Sequence, residues 1–126
     1  MQELHSLRSG IDLVEIERLE GVDPAIRARF LQRVFTPLEL EEARDSNLHL
    51  AGRFAAKEAV VKALGCGIGP VSWQEIEVRR GQAGEPVLVL SGKARQIADD
   101  LGLTIWSISI SHTREHAIAM AIACGE

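Results

Sequence analysis

At 126 residues the chain is long enough for one domain with a real core and too short for two, so residues 1–126 are expected to form a single domain. Hydrophobic residues make up 46% and charged residues 25%, ordinary for a globular protein, and a net charge of −4 gives no general attraction to nucleic acid or to an anionic membrane. No apolar run has the length of a membrane span, Met1 to Arg8 lacks a signal-type apolar core, and Cys66 and Cys124 have neither metal-type nor redox-type spacing, so the expected setting is a reducing cytoplasm with both thiols free.

In chain order, Ser9 to Ile16 reads as a first strand, rich in β-branched and apolar residues. Alternation puts Asp12 on the face of Val14 and Ile16, where a carboxylate needs a cation, a metal or donor N–H groups, or else caps a turn at the strand end. Glu17 to Arg33 reads as helical, broken near Gly21 and restarted by Asp23 as N-cap and Pro24 at the first helical position. This stretch is locally basic through Arg18, Arg27, Arg29 and Arg33. Arg29 and Arg33 lie one turn apart, either as a solvated face or as a docking patch for an acidic partner. Thr36, Pro37 and Glu39 form the signature of a capping box, predicting a helix to about Asp45, after which Ser46-Asn47 caps the next.

The stretch from Gly52 to Gly69 organises the rest. Ala, Lys, Glu and Leu dominate its first part, Phe54, Ala55, Val61 and Leu64 recur near a helical period, and Gly65 supplies the stop. Gly65, Gly67 and Gly69 then make a loop whose backbone N–H groups can approach an anion. Arg53, Lys57, Glu58 and Lys62 give this helix mixed charge. One reading is a solvated face with a Glu58–Lys62 pair four residues apart; the other is an anion and metal site.

Val71 to Arg80 alternates as a strand, Gly81 to Gly84 is a turn, and Pro86 to Leu90 is a short strand expected to be covered on both sides. Ser91 caps a helix over Gly92 to Asp100 that ends at Gly102. Leu103 to Ser111 is a strand with Trp106, Ile108 and Ile110 on one face, and His112 falls next on it. After a turn, His116 to Cys124 sets Ala117, Ala119, Ala121 and Ala123 against Ile118, Met120 and Ile122; the alanine face suits a packed helix or a second subunit. The expected class is α+β, with mostly antiparallel sheet packed against one long central helix and shorter helices.

Ser111 beside His112 makes a poor nucleophile pair, since neighbours in a strand point to opposite faces, and His112 with His116 straddles a turn rather than a helix. Oxygen ligands from Asp12 and Glu58 suit Mg²⁺, which is commonly held by one or two carboxylates plus substrate phosphates, and Lys62 with the glycine loop supplies what phosphates need.

The segments Gly10 to Ile16, Phe35 to Glu39, Arg53 to Ala63, Gly65 to Gly69, Gly84 to Pro86 and Ser109 to Thr113 come in an order that resembles the holo-acyl-carrier-protein synthases, small 4′-phosphopantetheinyl transferases. The resemblance covers nearly the whole chain. It implies transfer of 4′-phosphopantetheine from coenzyme A to a serine of apo-acyl carrier protein, releasing adenosine 3′,5′-bisphosphate, in fatty acid biosynthesis. It implies Asp12 and Glu58 as Mg²⁺ ligands, Lys62 on the phosphates, His112 beside the coenzyme, Gly65, Gly67 and Gly69 lining the nucleotide site, and Arg18, Arg29 and Arg33 docking the carrier. It also implies a homotrimer with sites between subunits, which the alanine face would suit. The chain departs from the family at Arg8, where glycine is usual, at Cys66, where threonine is common, and in a short segment over 45–49; Arg44, His49 and Arg53 are the substitutes there for 3′-phosphate contacts. A general base is needed, and Glu58 is the candidate. A non-catalytic coenzyme A or nucleotide-binding module, or a trimeric scaffold for an acidic helix, would need no such pair of acids.

Overall fold

The computed structural model describes residues 6–125. Its elements are β1 (Leu7–Glu15), α1 (Glu17–Glu20), α2 (Pro24–Val34), α3 (Pro37–Ala43), α4 (Asn47–Leu64), β2 (Ile76–Arg80), β3 (Pro86–Leu90), α5 (Gly92–Asp100), β4 (Ile105–His112) and β5 (His116–Cys124). The sheet is divided in two: an antiparallel three-stranded sheet in the order β1-β5-β4, and a separate β2-β3 hairpin.

Local signals set most helix ends. The Asp23 carboxylate accepts from the Ala25 N–H, and Thr36 and Glu39 form both halves of their capping box. Helix α3 ends at Ala43, slightly short of the expected Asp45, because Arg44 and Asp45 take the left-handed conformation (φ 51° and 60°). Ser46 then caps α4, and Gly65 closes it at φ 74°, where glycine carries no Cβ penalty.

Helix α4 lies across the three-stranded sheet and divides the core with it. Beneath it are Val14 of β1 and the alanines of β5, Ala117, Ala119, Ala121 and Ala123, all buried. Small side chains let the two layers approach closely. At Gly10 a Cβ would overlap the Ala59 carbonyl, so the backbones of β1 and α4 meet there. The alanine face is therefore covered by the chain's own helix and is not a subunit contact. The open face is the opposite one, with Ile118, Met120 and Ile122 exposed by 38%, 41% and 41%, flanked by Ile11 and Leu13.

Three other expectations change. The strand expected from Val71 starts only at Ile76, because Ser72 to Glu75 closes a capped 3₁₀ turn. The Glu75 carboxylate accepts from the N–H groups of Ser72 (2.9 Å) and Lys93 (2.8 Å), and these bonds, Ser72 first, hold its carboxyl below the usual carboxylate range. Glu75 thereby satisfies the start of α5, and the Ser91 side chain makes no cap. Strand β3 is half-buried rather than covered on both sides, with Val87 exposed.

Half of the mixed charge of α4, Arg53 and Lys57, is buried rather than part of a solvated face. Lys57 is fully buried, its Nζ bound to Glu39 Oε1 (2.8 Å), Ile76 O (2.6 Å) and Trp73 O (3.0 Å), and it lies 5.7 Å from the Phe35 ring centroid. Glu39 also accepts from the N–H groups of Thr36 (2.9 Å) and Val78 (2.8 Å). One turn away, Arg53 donates to Glu42 Oε1 (2.9 Å) and to Val78 O (3.1 Å), while the Arg80 N–H donates to the same Glu42 oxygen (3.0 Å). Two rungs of charge thus clamp β2 between α3 and α4.

Candidate active site

Asp12 and Glu58 come together on the β1 flank of α4. Asp12, on the α4-facing side of β1, accepts from Lys62 Nζ at 3.2 Å, and the same ammonium donates to Ile11 O at 2.9 Å. The expected Glu58–Lys62 pair is thus replaced by Asp12–Lys62. Glu58 is half-buried and accepts no hydrogen bond among the described residues. Burial pushes its carboxyl above the usual range, and the nearby Asp12 charge adds to this, against Lys62 and Arg18. Two neighbouring carboxylates, one of them lacking donors among the described residues, make a set that a divalent cation would satisfy. No cluster of three or more His, Cys, Asp or Glu side chains occurs among the described residues, so further oxygens would have to come from phosphates or water.

Gly65 follows Lys62 by three residues, and Gly67 and Gly69 continue the loop at positive φ (68° and 127°). These glycines stand at the carbonyl end of α4, beside the Asp12–Lys62 flank.

The other expected coenzyme contacts lie elsewhere. His112 ends β4, on the far edge of the sheet from β1, two strand spacings or roughly 10 Å away. It lines a cleft of 330 Å³ with His49, Arg53, Arg80, Glu85 and Pro86. The His49 and His112 ring centroids are 6.3 Å apart. Burial lowers the His49 imidazole below its ordinary value, and the neighbouring charges of Arg53, Arg80 and His112 lower it further. Arg44 does not line this cleft. Of the substitutes named for the 3′-phosphate, His49 and Arg53 do line it, and Arg80 is the residue that sequence reasoning missed. Only the clamp on β2 brings Arg80 opposite His49.

Arg18, Arg29 and Arg33 do not form one cluster, and of the three only Arg18 lines the apolar groove beside α2. Arg18 lines it with Leu19, Val22, Ile26 and Phe30. Arg29 and Arg33 are exposed on α2, and Arg27 is tied to Asp45 at 3.0 Å.

Residues 8–121 match the family model for the 4′-phosphopantetheinyl transferase superfamily, and the chain belongs to that superfamily. Its relatives are narrower in kind. It is 46% identical over 119 residues to the holo-(acyl-carrier-protein) synthase of Moorella thermoacetica, covering 92% of each chain. It is 43% identical to that of Herpetosiphon aurantiacus, covering 94% of this chain and 99% of the relative. The crystal structure of Helicobacter pylori holo-(acyl-carrier-protein) synthase in complex with coenzyme A superposes with a TM-score of 0.82 at 34% identity, over 91% of this chain and 98% of that one.

Proposed function

We propose that this chain is a holo-acyl-carrier-protein synthase, a single transferase domain over residues 1–126. It moves 4′-phosphopantetheine from coenzyme A to a serine of apo-acyl carrier protein, in the cytoplasm, for fatty acid biosynthesis. The observation that carries this reading is the acid pair Asp12 and Glu58 with Lys62, converging on one flank of α4 in a chain so similar to synthases of that name. A module that only binds coenzyme A has no use for two opposed carboxylates beside a lysine.

Asp12 and Glu58 would hold Mg²⁺, which when bound supplies charge neutralisation to the pyrophosphate and its leaving group. Lys62 adds a cation to the same phosphates. The carrier serine oxygen forms a bond to the β-phosphorus, the bond to the bridging pyrophosphate oxygen breaks, and adenosine 3′,5′-bisphosphate leaves with that electron pair. Glu58 is our candidate for the group that takes the serine proton, being the acid of the pair that Lys62 does not bind. His112, His49, Arg53 and Arg80 form the cationic cleft for the nucleotide end, its 3′-phosphate included.

The acid pair and the cleft belong to opposite edges of the sheet. This, with the open apolar face of β1 and β5, supports a homotrimer in which neighbouring copies complete each site. Met120→Asp should dissociate the assembly in sedimentation analysis and remove transfer with it; a fully active monomer would sink the shared site.

Arg18 at the apolar groove, with Arg29 and Arg33 exposed on α2, suits an acidic, partly apolar helix of the carrier. Arg29→Glu should raise KM for the carrier protein about tenfold or more by reversing a charge in the docking patch, leaving coenzyme A affinity unchanged. Equal effects on both substrates would refute docking there.

The test of the function itself is the intact mass of apo-acyl carrier protein after incubation with the protein, coenzyme A and Mg²⁺, with an EDTA control. A gain of one phosphopantetheine, lost with EDTA, supports transferase and metal together. No gain with coenzyme A still bound would favour the binding module.

A further inference from the structure

We propose that Arg8 is an additional cation for the coenzyme A pyrophosphate; this rests on the transferase reading of the Asp12–Lys62 flank. Alternation along β1 puts Arg8, Gly10 and Asp12 on the face toward α4, and all three are buried or half-buried. Gly10 meets α4 at Ala59 and Ala63. Lys62 reaches down on the Asp12 side of that contact. Arg8 reaches the helix on the other side, with Nη1 3.5 Å from Ala63 O and 3.0 Å from where a Cβ on Gly65 would stand. Its guanidinium therefore borders the junction of α4 with the glycine loop. Asp12 and Arg8 are four strand residues apart, roughly 13 Å at the backbone, and the long arms of Lys62 and Arg8 close that interval from its two ends.

The guanidinium is unusual in having spare capacity. Of the arginines that are not exposed, Arg27 is paired with Asp45 and Arg53 with Glu42. Arg8 has no carboxylate partner among the described residues, and its one hydrogen bond is at the outer limit of such contacts. Most of its five donors have no partner among the described residues. A half-buried guanidinium without a counter-ion among the described residues, next to a lysine, a glycine loop and a candidate metal pair, fits a doubly charged phosphate group. Glycine or a short side chain at this position would leave that end of the flank without a cation.

The competing role is purely structural: a cation at the carbonyl end of α4 interacts well with the helix dipole. Calorimetric titration of coenzyme A without carrier protein, beside thermal unfolding of the same samples, separates the two. With Arg8→Ala we expect the coenzyme A Kd to rise about tenfold, as for loss of one charge-assisted hydrogen bond, with less salt dependence and little change in Tm. Arg8→Lys should recover part of the affinity. The loss should persist with 3′-dephospho-coenzyme A, since the 3′-phosphate is assigned to the other cleft. A lowered Tm with unchanged Kd would make Arg8 a helix cap only, and a loss that vanishes with 3′-dephospho-coenzyme A would move it to the 3′-phosphate; either overturns the proposal. Tight coenzyme A binding by the natural protein with no transfer to carrier would defeat the transferase reading while still deciding Arg8. Failure of the natural protein to bind coenzyme A would end both.

Discussion

Lys57→Met is expected to destabilise the protein by about 3–5 kcal/mol, the usual cost of removing one partner from a buried ion pair. The substitution leaves Glu39 charged and buried, with the Thr36 and Val78 N–H groups as its remaining donors. It also strips the Trp73 and Ile76 carbonyls of their shared donor, so the 3₁₀ turn and the start of β2 lose their tie to α4. Urea denaturation reads the effect directly. The double variant Lys57→Met/Glu39→Leu should recover part of the loss, because an apolar pair of similar volume avoids the desolvation of two charges. A loss under 1 kcal/mol in the single variant would mean that water or a rearranged partner satisfies Glu39.

The largest effect on activity is expected from Glu58→Gln: transfer should fall by about 10²-fold or more, the scale of losing a positioned proton acceptor, while the fold is retained. The change nearly preserves shape at a half-buried site and removes only charge. Asp12→Asn should do similar damage and also release Lys62 from its ion pair. Single-turnover transfer, with Mg²⁺ and coenzyme A binding measured separately, locates the loss. If Glu58→Gln binds both normally and keeps full turnover, neither the base nor the ligand role of Glu58 survives.

Much of the chain announces itself locally. The capping box of Thr36 and Glu39, the Asp23-Pro24 start and the Gly65 stop each need only neighbours within four residues, and each appears as the sequence predicts. What escapes is every feature made by distant partners. Glu39 reads as a cap, yet its second oxygen serves Val78, 39 residues on. Lys57 reads as a surface charge, although Ala55, Ala56, Ala59 and Val60 surround it on the helix and could have marked it as interior. Alternation from Val71 imitates a strand because nothing local reveals that Glu75 must turn to reach Lys93. The candidate acids were legible by type, since a carboxylate on an apolar strand face demands a partner. That His112 belongs to a different flank from Asp12 was not, because only the β1-β5-β4 order separates them.

The near-contact of β1 and α4 at Gly10 has a consequence for where motion can occur. Amide protons flanking that seam, around Gly10 and Ala59, should be among the last to exchange with deuterium, opening only when the whole molecule unfolds. Asp12 and Glu58 ride on those two elements and share their rigidity. The β2-β3 hairpin is anchored by the charge clamps and by buried Ile76 and Val78, and its far end carries Arg80 and Pro86 at the edge of the cleft. Adjustment to a bound nucleotide therefore falls to the exposed turn between β2 and β3, against acids that stay fixed.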